Sequence, residues 1–374
     1  MDRGGEGAWT ARRQRAARAI RVVVRVVGWA VALEVAASGC AHLGARTTAG
    51  GPGIRVLLAD RIESVEVDGR SIGREQRWPG PGPHTVDGRR VRGSVEVARG
   101  SGGLRVVNEL PLEDYVAGTV LGEVAESWGA SLLRAQAVAI RTYALHRRAE
   151  AGSRGFDVEA DTRAQVYLGL DGETPAVRDA VAATRGQVLT FDGAPILAAF
   201  YSSAGGRSAS AAEVWGRDVP YLRSVPVPGE EDSPDAYWRA RFTSDELRLA
   251  LLAIGDDVGE LRDLAVVERS ASGRAARIRV TATRGELALP AETLRRALGA
   301  ARLRSALFEI RRDGDDFVFV GSGRGHGVGM SQWGARALAN EGASYTQILA
   351  TFYPGARLER IGAVQRPGPV GAAP

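Results

Sequence analysis

The hydrophobic period of the chain switches sharply near Pro111, and that switch limits what it can fold into. Over residues 54–108, in "IRVLLAD", "SVEVDGR", "HTVDGRRVRG", "SVEVAR" and "LRVVNEL", β-branched and polar residues alternate. A period of two sends successive side chains to opposite faces of a strand, and the Asp-Gly steps between the runs suit tight hairpins. An antiparallel β region is predicted there. From Pro111 the period is helical: in "PLEDYVAGTVLGEVAESWGASLLRAQAVAIRTYALHRRAEAG" apolar residues recur at 112, 116, 120 and 121. Pro111 suits a first turn, and Glu113 and Asp114 its positive end. A break over 123–129 precedes a second helix, for which Ser127 or Ser131 is the expected N-cap. That second helix is alanine-rich on nearly all sides, the mark of burial. Arg134, Arg141 and Arg148 recur along it every seven residues. The outer two read as a solvated edge. Arg141 lies deeper, where a guanidinium needs a carboxylate or a ligand as partner.

Residues 242–321 read as helix, strand, strand, helix, strand, strand. "TSDELRLALLAI" starts on Thr and Ser with acids in its first turn, "PAETLRRALG" begins on proline, and "ALFEIRRDGDDFVFVGSG" is a hairpin turning at 313–316. The fold class is therefore α+β, a mixed architecture with an N-terminal antiparallel β region and a small α/β insert. At 374 residues there is room for two or three domains. The expected division is a leader at 1–40, a linker at 41–53, the β region at 54–108, a core at 109–241, the insert at 242–321, a segment at 322–358 that completes the core, and a disordered tail at 359–374.

Charge is concentrated at the start. Residues 1–39 hold seven arginines against Asp2, Glu6 and Glu34, which accounts for +4 of a net +5, and the chain has no lysine. The remainder is close to neutral, so no nucleic-acid partner is implied. After Arg25 comes "VVGWAVALEVAASGC", an apolar stretch short for a membrane span that ends in small residues before Cys40, the only cysteine. This resembles a bacterial lipobox, with Ala37 where leucine is usual and Glu34 interrupting the apolar run. Export is expected, with Cys40 lipidated; a cleaved signal peptide and an uncleaved anchor are the competing readings. One cysteine allows no internal disulfide.

The stretch "GRGHGVGMSQWGA" at 323–335 sets glycines around His326, one of four histidines. It lacks the Gly-Lys-Ser/Thr ending of a phosphate loop and the spacing of a dinucleotide fingerprint. What the glycines secure is backbone freedom and close approach. Either His326 lies in a tight loop forming part of a cleft, or the segment is a plain strand-to-helix turn.

Six segments together, "NELPLEDYVAGTVLGEVAESW", "LLRAQAVAIRTYAL", "DTRAQVYLG", "AVAATRGQVLTFDGAPILAAFYSSAGGRS", "VWGRDVPYLRSV" and "GRGHGVGMSQWGA", resemble the SpoIID/LytB family, in the family's order and over about residues 107–353. The resemblance implies a cell-wall protein acting on peptidoglycan, either as a lytic transglycosylase of glycan strands or as the enhancer of a cell-wall amidase. It places the catalytic glutamate at Glu123, with Val124 and Ala125 standing where Met-Pro is usual. For Glu123 to begin protonated, an apolar surround is needed, and Val120, Leu121, Val124 and Trp128 are expected to form it. Glu126 is the rival carboxyl that the family motif does not select. Substrate contacts are expected from Arg141, Tyr201, Ser202, Ser203, Trp215, Arg324, His326 and Gln332. Some members hold zinc with Cys and His near the second glycine turn; Ala204 and Arg207 stand there, so no metal and no cofactor is expected.

Overall fold

The computed structural model describes residues 47–48 and 51–361, so the leader with Cys40 and residues 362–374 lie outside the described residues. The fold is α+β, and the chain divides into two compact units. One runs to Leu197 and resumes at Arg357; the other is Ala198–Ala356.

In the first unit, Gly51–Ile62 pairs antiparallel with Gly103–Pro111, which pairs with Ser94–Gly100, which pairs with Gln76–Trp78. The short strand Val158–Glu159 adds in parallel to Gly51–Ile62. A separate four-stranded sheet runs in the order Arg70–Ile72, Val65–Val67, His84–Val86, Arg89–Val91. Its two hairpins turn on the Asp-Gly steps, with φ of 50° and 75° at Asp68 and Gly69 and of 45° and 79° at Asp87 and Gly88. Positive φ at both central residues is the geometry that matches the twist of paired strands.

Helix α1 (Leu112–Glu123) follows directly from the strand Gly103–Pro111. Pro111 is the N-cap of α1 and not part of its first turn. A 3-10 turn at Glu126–Trp128 leads to α2 (Ala130–Glu150), and α3 is Pro175–Ala183. Neither Ser127 nor Ser131 caps α2. The cap is Gly129 at φ 90°, a left-handed conformation that serine adopts only at a steric penalty, so backbone geometry decides the position. Residues 135–142 of α2 are all buried, as its alanine content requires. The strand Arg357–Arg360 pairs antiparallel with Gln187–Phe191. Order therefore continues past residue 359, where a disordered tail was expected, because Val188 and Gln187 pair with Glu359 and Arg360.

The second unit contains α4 (Ala211–Trp215), α5 (Ser244–Ala253), α6 (Ala291–Leu298), α7 (Gln332–Asn340) and α8 (Tyr345–Phe352). Thr243 and Glu246 form a capping box at the start of α5. Trp238–Phe242, Asp316–Gly321 and Phe308–Asp313 make one antiparallel sheet; Leu261–Arg269, Ala275–Ala282 and Gly285–Pro290 make another. The last strand is absent from the sequence reading, which assigned Pro290 to a helix start. Pro290 instead ends the strand and caps α6. Trp238, Phe242, Phe308, Phe317 and Phe319 are all buried in the core of this region. Phe319 meets Phe242 and Phe308 edge-on, with centroids 5.3 and 5.2 Å apart. Each such ring contributes about 1.5–3 kcal/mol by leaving water. Among the described residues no helix is long and apolar enough to cross a membrane.

Candidate functional site

In the first unit Glu123 is the last residue of α1 and is 3% exposed. The backbone N–H of Val166 donates to its Oε1 at 2.7 Å. That approach depends on Gly122, where a Cβ would lie 1.9 Å from the Val166 carbonyl oxygen. Val120 and Val124 are wholly buried, Trp128 nearly so, and Leu121 partly. Glu126 is exposed on the 3-10 turn.

Arg141 sits in α2 with no exposed side-chain surface. Its Nε and Nη2 donate to the two carboxylate oxygens of Glu113 at 3.0 and 2.7 Å, and its Nη1 donates to the Gln187 carbonyl at 3.1 Å. Of the two partners left open, carboxylate or ligand, the carboxylate is present. The surroundings are those of a buried structural ion pair, and Glu113 does more than face a helix dipole.

In the second unit Phe200–Tyr201 pairs in parallel with Met330–Ser331, and Ser203 exchanges backbone hydrogen bonds with Arg324 at 3.1 and 2.9 Å. This ladder lays the hydroxyl-rich turn beside the glycine loop. Gly323, Gly325, Gly327 and Gly329 all have positive φ; at Gly329 a Cβ would also lie 2.1 Å from the Ala199 carbonyl oxygen. Gly323 and Gly329 pass close against backbone, Gly325 and Gly327 against the side chains of Tyr201 and Arg274.

His326 lies between Tyr201 and Trp215, with ring centroids 5.4 and 5.6 Å away. Its Nδ1 accepts from the Val328 N–H at 3.1 Å, which puts the ring proton on Nε2, and Nε2 donates to the Phe200 carbonyl at 3.1 Å. Burial, then the positive charge of Arg295 and later that of Arg274, pushes the imidazole down to about 4. The ring is neutral at neutral pH, and both nitrogens are engaged with backbone. In this geometry the ring nitrogens staple the loop, so the substrate contact expected of His326 would have to be made by another part of the ring.

The remaining candidates differ in access. Trp215, at the end of α4, is 37% exposed, and the Arg324 side chain is 39% exposed, 3.7 Å from Asp235. Tyr201, Ser202, Ser203 and Gln332 are buried. The Ser202 carbonyl accepts from the Trp333 N–H at 3.0 Å, and among the described residues the buried Tyr201 hydroxyl and Ser203 Oγ have no hydrogen-bond partner.

Two residues in this unit escaped the sequence reading. The buried Glu230 carboxylate accepts from the Ala204 N–H at 2.9 Å to each oxygen, from Gly205 N–H at 2.9 Å, and from the Ser331 hydroxyl. It ties the hydroxyl turn to the start of α7. The buried Arg274 donates to the Ala204 and Arg207 carbonyls, both at 2.9 Å, and its guanidinium would lie 2.8 Å from a Cβ at Gly327. Both are remote in sequence from what they hold, and no spacing rule marks them; the only signal was a charge in a loop. Ser203, Gly205, Gly206, Glu230, Glu231 and Ser322 help line a pocket of about 400 Å³, within the size range of ligand sites. Among the described residues no group of His, Cys, Asp and Glu is arranged to hold a metal ion.

The profile of the family described as Stage II sporulation protein matches residues 100–191, and that of a domain of unknown function (DUF8618) matches 228–329. The chain is 32% identical over 279 residues to stage II sporulation protein D of Bacillus subtilis, covering 69% of this chain and 77% of that protein. It is 32% identical over 274 residues to an uncharacterized protein of Brachyspira hyodysenteriae, covering 72% and 73%. The amidase enhancer of Bacillus subtilis is 29% identical over 286 residues, 64% of this chain and 40% of that longer protein. With the family profile lying over the helix that carries Glu123, and most of a stage II sporulation protein D aligned, the chain belongs to the SpoIID/LytB family.

Proposed function

We propose that the protein is a lytic transglycosylase that cleaves peptide-denuded peptidoglycan strands, with Glu123 as its general acid and base. The observation that carries this reading is a carboxyl 3% exposed at the end of a helix, with one oxygen held by the Val166 N–H. The fixed N–H orients the group for proton transfer. Glu123 protonates the glycosidic oxygen as the bond to C1 of the muramic acid breaks. It then takes the proton of that sugar's C6 hydroxyl, whose oxygen bonds to C1 and closes a 1,6-anhydro ring. The substrate provides its own nucleophile, so the second carboxyl usual in glycoside hydrolysis is not needed, nor is a cofactor. Trp215 and Arg324, the most accessible of the second unit's candidates, are proposed as glycan contacts, the first by its apolar face and the second by its guanidinium donors.

We further propose that the chain is exported and held at a membrane through its leader, with Cys40 lipidated. A second reading is favoured by the relative named an amidase enhancer and by Val124 and Ala125 after the glutamate. In it the protein binds glycan without cutting it and stimulates a separate amidase. Incubation of the purified protein with denuded and with peptide-bearing glycan, followed by mass spectrometry, separates the two: 1,6-anhydro ends support cleavage, and bound but uncut glycan supports the enhancer.

A further inference from the structure

We infer that Tyr115 and Gln165 are positioning residues for Glu123, because the hydrogen bond between them seats the Val166 N–H on the carboxyl. The inference rests on the reading of Glu123 given above. The Tyr115 hydroxyl donates to Gln165 Oε1 at 2.7 Å, and both side chains are wholly buried. Tyr115 and Glu123 lie eight residues apart on α1, a little over two turns and about 80° around its axis. Gln165 and Val166 are adjacent in the segment packed against that helix. Two hydrogen bonds, from Tyr115 to Gln165 and from Val166 to Glu123, thus fasten the same short segment to the same helix.

The seat is tight. The Leu168 N–H donates to the Gly118 carbonyl at 2.8 Å, and the Val166 carbonyl occupies the space where a Cβ of Gly122 would stand. Tyr115 is itself fixed, since its ring stacks on Tyr167 with centroids 5.5 Å apart and its carbonyl accepts from the Thr119 hydroxyl at 2.6 Å. A displacement of Gln165 therefore passes to Val166 with little slack.

Packing alone does not explain an amide here. Among the described residues the buried Gln165 Nε2 has no hydrogen-bond partner, a loss of about 1–3 kcal/mol that an apolar side chain of similar length would avoid. What the amide provides is the acceptor for Tyr115. The consequence is positional: the Val166 N–H holds Oε1 in place, and misplacement of a reacting group by about 1 Å can lower a rate about 100-fold.

The test uses Tyr115→Phe, which removes one oxygen, and Gln165→Met, which keeps the length and removes the amide. Val166 amide proton exchange is followed by NMR, and kcat and KM on denuded glycan are measured in parallel. In each variant the Val166 amide should exchange faster and kcat should fall about tenfold or more, with KM within about twofold. The double variant should be no slower than the slower single, because both changes break one bond. Unchanged Val166 exchange, wild-type kcat in a folded variant, or losses that multiply would each overturn the inference. If one variant fails to fold, the other decides by the same two readouts. Should wild type leave no anhydro ends, the Glu123 reading fails, and Val166 exchange alone still reports whether the Tyr115–Gln165 bond seats that amide.

Discussion

The Cα of Gly122 faces the Val166 carbonyl so closely that a methyl group on it would lie 1.9 Å from the oxygen. The next residue, Glu123, receives the Val166 N–H. One peptide segment thus touches α1 through both its polar groups, and only glycine at 122 allows it.

Gly122→Ala should lower the melting temperature. In an ordinary helix the change is favourable by up to about 1 kcal/mol, whereas overpacking of this kind costs about 1–3 kcal/mol. Thermal denaturation followed by circular dichroism reads the sign, and a raised melting temperature would contradict the close approach.

Glu113→Leu should destabilise the protein by about 3–5 kcal/mol, because it strands the buried Arg141 guanidinium without its carboxylate. If Glu113 acted only on the helix dipole, the loss would be at most about 1 kcal/mol. Urea unfolding distinguishes the two values, and a second substitution, Arg141→Leu, should recover most of the loss.

The folded His326 imidazole is held down to about 4, below its ordinary 6.5. Between these values the unfolded chain binds the extra proton and the folded chain does not, so unfolding is favoured as pH falls through this window. The contribution is complete above about pH 6.5 and lost below about 4. Urea melts at pH 7, 5.5 and 4 should show a steeper decline for wild type than for His326→Gln; parallel declines would mean that the histidine is not held neutral.

Replacing Cys40 with Ser should release the protein from membranes or leave its precursor unprocessed. Cell fractionation and the size of the mature chain report this directly. Unchanged processing and membrane association would rule out lipidation at Cys40.

Strong local signals are legible in the sequence. The Asp-Gly hairpins of the N-terminal region, the Thr243 start of α5 with acids in its first turn, and the burial of α2 each follow from local residue patterns. The cap of α2 was not legible, because Gly129 acts through φ and competes with serines of better side-chain propensity. The candidate site was legible only in part. Glu123 stands out by a local motif, but the Val166 N–H that holds it is 43 residues away, and Glu230 reaches Ala204 across 26 residues. His326 drew attention through its glycines, yet its ring nitrogens serve the backbone of its own loop and of Phe200. Periodicity reports which face of an element is buried; it does not report which distant backbone amide meets a carboxylate.

The most direct test of the account is the yield of 1,6-anhydro ends from denuded glycan by wild type, Glu123→Gln and Glu126→Gln, measured by mass spectrometry without added metal. Glu123→Gln keeps the size of the side chain and an acceptor for Val166 but cannot donate and recover a proton. Turnover should fall by about 100-fold or more while glycan binding persists. Glu126→Gln, altered on an exposed turn, should cleave at nearly the wild-type rate. If wild type binds glycan but leaves no anhydro ends, and stimulates an amidase as well as Glu123→Gln does, the transglycosylase account is wrong.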